Sequence, residues 1–83
     1  MKKLQLEIDW RYAGYITPNL ARTLEQAAQC MTLDHAENVL RTGAPRTWWA
    51  IARKPTAVVL SHIWKGSEPI PCAQVVERAT GGA

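Results

Sequence analysis

Ser61 and His62 stand side by side, and a hydroxyl next to an imidazole is the raw material of nucleophile-and-base chemistry. Adjacent side chains diverge on a helix and point to opposite faces on a strand. A direct Ser61–His62 hydrogen bond is therefore not expected, and no carboxylate lies nearby in sequence to orient the ring. Asp34-His35 fails on the same geometry. Cys30, His35, His62 and Cys72 are ligand types that zinc accepts, but no Cys-x-x-Cys is present and the spacings match no zinc-finger pattern. No phosphate-binding or dinucleotide-binding glycine pattern occurs, and no carboxylate pair sits in an apolar setting. The expectation is a chain with no catalytic residues, no metal and no cofactor.

Charge offers a different chemistry. From Asn38 to Ser67 there is no Asp or Glu, while Arg41, Arg46, Arg53, Lys54 and Lys65 all fall there, with His62 among them. The acids Glu7, Asp9, Glu25, Asp34 and Glu37 precede that stretch, and the net charge is +3. Such asymmetry can build a basic face that attracts phosphate. Trp48 and Trp49, flanked by Arg46 and Arg53, could stack bases, line a partner contact or fill a core that has no Phe.

The elements that must position these residues can be read from periodicity. Leu4, Leu6, Ile8, Trp10 and Tyr12 alternate with polar residues, the pattern of a half-buried strand. That strand needs a mate, either later in the chain or in a second copy. Thr17-Pro18 reads as a helix cap followed by proline at the first helical position. Leu20, Ala21, Leu24, Ala27, Ala28 and Met31 then recur at helical spacing. A second helix begins at Thr32, with Asp34 and Glu37 near its positive end, Leu33, Ala36, Val39 and Leu40 inward, and Gly43 and Pro45 closing it.

Residues 46–66 admit two readings. As helices, Trp48, Trp49 and Ala52 bury one side of the first and Val59, Leu60 and Ile63 one side of the second, around a Lys54-Pro55-Thr56 turn. As strands, the same residues make a hairpin about Lys54-Pro55, which their β-branched content favours. Ser67 to Pro71 reads as a rigid connector, and Cys72 to Ala79 as a short closing helix with Val75 and Val76 inward.

The run LSHIWKGSEPIP, Leu60 to Pro71, followed by ERATGG at Glu77 to Gly82, resembles Cro-like helix-turn-helix regulators of phages and prophages. The YdaS-type group is the most similar. The resemblance covers the last third of the chain. It implies that Ala50 sits where two helices touch and that Leu60 and Ile63 form the buried side of a recognition helix. Thr56, Ala57, Val58, Ser61, His62 and Lys65 would then face DNA. Ser61 and His62 would bond base edges or phosphates, and Ala57 or Val58 would touch a thymine methyl. Arg46, Arg53, Lys54 and Lys65 would hold phosphates.

At 83 residues the chain is one domain with a thin core. No segment approaches the about 18 apolar residues needed to cross a bilayer. Nothing at the start reads as a signal peptide, since Glu7 and Asp9 interrupt the stretch after Lys2 and Lys3. A cytoplasmic protein with two reduced cysteines follows as the expectation.

The organisation expected is a strand or arm over residues 1–16, two helices over 17–43, a helix-turn-helix over 46–66, and a connector with a short helix over 67–83. The expected fold is mainly α. The alternative is α+β, with a hairpin in residues 46–64. The expected function is a homodimeric, sequence-specific transcription regulator, a repressor in type, that binds double-stranded DNA. The alternative is a small phage-type protein that binds and inhibits a host protein without catalysis.

Overall fold

The computed structural model describes residues 2–45 and 50–79, with backbone alone for Lys2 and for residues 62–65. It is an α+β fold in which two helices cover one face of a four-stranded antiparallel sheet. Strand β1 is Lys2–Ile8, followed by a 3-10 helix at Trp10–Tyr15. Helices α1, Pro18–Ala28, and α2, Leu33–Gly43, come next. Strands β2, Ala52–Lys54, β3, Ala57–Lys65, and β4, Glu68–Ala79, complete the chain. The sheet order is β1-β4-β3-β2, so the first strand lies beside the last.

The mainly α expectation is therefore corrected. In the described residues, the stretch assigned to a helix-turn-helix is the β2–β3 hairpin, joined through Pro55 and Thr56. That is the arrangement of the α+β alternative. Ala57-Val58-Val59-Leu60 is a run of small and branched side chains suited to a strand buried on both faces. The closing helix is also corrected: residues 72–79 belong to β4. There Leu6 pairs with Val75 and Ile8 with Ala73, so the inward residues keep a period of two.

The two helices form where their caps stand. Leu20 N–H donates to Thr17 Oγ1 at 3.2 Å, and His35 N–H to Thr32 Oγ1 at 3.2 Å. Gly43 is the last residue of α2, and its contribution is room. A Cβ added there would meet Thr23 Cγ2 at 3.0 Å, where α1 and α2 approach. Thr23 Oγ1 donates to Asn19 O at 3.2 Å and lies 3.4 Å from Gly43 O.

The core lies between sheet and helices. Leu4, Val58, Leu60, Ala73 and Val75 pack from the sheet against Leu20, Leu24, Ala27, Leu33, Ala36 and Leu40. The strand expected to end at Tyr12 ends at Ile8, because the Asp9 carboxylate accepts the Arg11 N–H at 3.1 Å and starts the 3-10 helix. Its mate is β4, in register from Lys2↔Ala79 to Ile8↔Ala73. No helix among the described residues is long and apolar enough to cross a membrane.

Candidate interaction surface

Beyond the core, β3 and β4 continue as a pair. Strand β1 ends opposite Ala73 and β2 reaches Val59, so among the described residues Ser61–Lys65 pair only with Glu68–Pro71. Two register irregularities, between Leu60 and Ser61 and between Ser61 and Ile63, mark the root of this two-stranded arm. Gly66 and Ser67 close it in a two-residue turn, with Gly66 at φ +65°. Pro69 and Pro71 fall in the part of β4 that has a neighbour on one side only. That is where a residue without an N–H is tolerated in a sheet. Twelve residues of β4 rise about 40 Å, in keeping with a molecule of 43 × 21 × 21 Å.

The arm's root is flanked by the 3-10 helix. Asp9 N–H donates to Cys72 O at 3.0 Å, which fixes the helix beside β4. Trp10 is 79% exposed and Tyr15 54%, both large apolar surfaces held in water. Arg11 binds Asp9 through Nη2–Oδ2 at 2.7 Å and lies 5.4 Å from the Tyr12 ring centroid. A cleft of about 310 Å³ opens here, lined by Glu7, Ile8, Asp9, Pro71, Cys72, Ala73 and Gln74. Arg78 and Gln74 donate to the Glu7 carboxylate, Arg78 Nε at 3.1 Å and Gln74 Nε2 at 2.9 Å. The Arg78 hydrogen bond, then that of Gln74, holds the Glu7 carboxyl below its usual value. The Arg11 side-chain hydrogen bond does the same for Asp9. Both acids are charged at neutral pH, and both are already neutralised by a guanidinium of their own chain.

The residues expected to bind DNA are not gathered on one helical face. Arg46 lies outside the described residues, as do Trp48 and Trp49. Ala57 and Val58 are buried in β3, Val58 with no exposed surface, and Ser61 is buried at 6%. His62 lies at the irregular register beside Ser61, and Lys65 ends β3 opposite Glu68. Ala57 and Lys65 are about 26 Å apart along one strand. Thr56 is exposed in the β2–β3 turn, and its carbonyl accepts the Glu77 N–H at 2.8 Å. Lys54 is exposed at the end of β2. Arg53 shares the helix-covered side with Val58 and reaches α2, 3.4 Å from Asp34 and 4.0 Å from Glu37.

The alternation that led into Trp10 carried no sign that the aromatic residues would leave the strand. Asp9 was the available signal, a capping residue in the middle of an alternating run. Among the described residues no group of three or more His, Cys, Asp or Glu gathers as a metal site. Cys30 is half-buried and Cys72 is buried. Compared with protein-family models, with curated proteins and with solved structures, the chain matches none.

Proposed function

We propose that this chain is a non-catalytic interaction domain that binds another protein, through the arm and the aromatic 3-10 helix at its root. The observation that carries the reading is that, among the described residues, Ser61–Lys65 pair with Glu68–Pro71 and with no other strand. A lone two-stranded ribbon is marginal in water, so its stability gains most from a partner that covers it. Trp10 and Tyr15 beside it are of the types that anchor protein interfaces.

The electrostatics favour protein over nucleic acid. Arg11, Arg41, Arg53 and Arg78 each pair with a carboxylate of the same chain, which competes with phosphate for them. A DNA-binding regulator remains the competing outcome, but its recognition helix has been replaced by strands.

The test is capture from a lysate by wild type, Trp10→Ala and Tyr15→Ala, with anisotropy on random-sequence DNA alongside. The expected result is a protein retained by wild type and held at least about tenfold more weakly by each variant. Salt-steep DNA binding that both variants leave unchanged would transfer the assignment to nucleic acid.

A further inference from the structure

Among the described residues, β1, β2, the Ser61–Lys65 part of β3 and the outer half of β4 each leave a stretch of edge unpaired, and the stretches on β2 and β4 are protected. Strand β2 is three residues long and is followed by Pro55. The outer half of β4 carries Pro69 and Pro71. Short strands and prolines are how proteins keep an edge from recruiting another chain. Strand β1 has neither. It runs seven residues without proline, and among the described residues its outer side faces no other strand.

The direction of its backbone groups follows from the ladder. Asp9 N–H donates to Cys72 O, and Asp9 and Cys72 fall in the same register as Ile8↔Ala73. The odd residues of β1 therefore bond to β4, and Leu4, Leu6 and Ile8 turn their N–H and C=O groups outward.

We infer that the free edge of β1 pairs antiparallel with β1 of a second copy, centred on Gln5, to make one continuous eight-stranded sheet. This register is set by three independent features. It overlaps the whole seven-residue strand. It places Leu4 opposite the partner's Leu6, so that the outward backbone groups meet in hydrogen-bonded pairs. It also places Lys3 opposite the partner's Glu7, twice by symmetry, in the closer non-hydrogen-bonded pairs. The two-fold axis thus sets unlike charges opposite each other, each Glu7 carboxylate lying between Arg78 of its own chain and Lys3 of the second copy. Apolar surface follows the same line, since Leu6 and Ile8 are only half-buried although they pack against the core. Met31 is 87% exposed and shares a cleft with Lys3 and Leu4 beside this edge.

The inference uses a different strand edge from the arm and stands apart from the proposed function. Its test is sedimentation equilibrium of the full chain, with Lys3→Glu and Gln5→Lys as exposed substitutions that leave the core alone. Wild type is expected to sediment at twice its 9.3 kDa mass. Each variant is expected to weaken the dimer by about tenfold, because attractive or neutral opposed pairs become like-charged. Gln5→Cys reads the register directly, since two copies of residue 5 meet on the axis and should cross-link on mild oxidation. A wild type that stays monomeric at millimolar concentration overturns the inference. So does a dimer indifferent to both charge changes, or one whose Gln5→Cys form does not cross-link. None of these results bears on capture of a partner by the arm.

Discussion

At the level of single residues, two contacts have measurable consequences. The Glu7 carboxylate, bound by Arg78 and Gln74, has a lower pKa in the folded chain than its ordinary 4.5. Its contribution to stability is fully present above that ordinary value and is lost as the pH falls through the depressed one. Urea unfolding between pH 7 and pH 3 should show the gap between wild type and Glu7→Gln closing as the solution becomes acidic. A gap that does not change with pH would mean that the carboxylate does not stabilise the fold. Gly43 makes the second contact. Its replacement by Ala improves helix propensity but drives a methyl into Thr23 Cγ2, and overpacking outweighs propensity at a helix end. Gly43→Ala is expected to cost about 1 kcal/mol. In a Thr23→Ser background that methyl is gone while Oγ1 still lies 3.2 Å from the added Cβ, so the cost should shrink, a coupling that a double-mutant cycle measures directly.

At the level of elements, what could be read in advance depended on how local the physics was. Both helices were legible because their signals are local: Thr17 and Thr32 as caps, proline at the first turn, and an apolar stripe. The β3–β4 half was not, because Val58, Leu60, Ala73 and Val75 acquire their shared face only from pairing across the sheet. In CAQVVERA the adjacent valines satisfy a helical stripe as readily as a strand, and pairing with β3 and with β1, some seventy residues earlier, decides between them. The candidate surface was less legible still. Nothing local separates an aromatic residue that ends a strand from one that continues it. The arm makes its own prediction. Amides of Ser61–Lys65 and Glu68–Ile70 should exchange with solvent much faster than those of Val58 and Val75, since among the described residues one neighbouring strand protects the former and two the latter. Addition of the bound partner should slow them selectively. Gly66→Ala, forced into a positive φ, should cost about 1 kcal/mol and loosen the arm before the core.

For the whole molecule, the sheet order carries a consequence for how the protein is made. Strand β1 is synthesised first and β4 last among the described strands, yet they are neighbours. On the ribosome the chain can build its helical pair and then the β2–β3 hairpin as each emerges. The leading strand has no mate until residues 72–79 clear the exit tunnel. During that interval its two-sided edge is open to any other nascent chain, and polysomes bring identical nascent chains close together. Pairing with β4, once that strand emerges, caps one side and leaves the other open for the second copy inferred above. Lys2 and Ala79 end up side by side. The same topology therefore allows the chain to be re-cut at the Pro55–Thr56 turn, with the old ends joined by a short linker. Such a permuted chain would present β1 and β4 together from the start and should fold faster than the natural order.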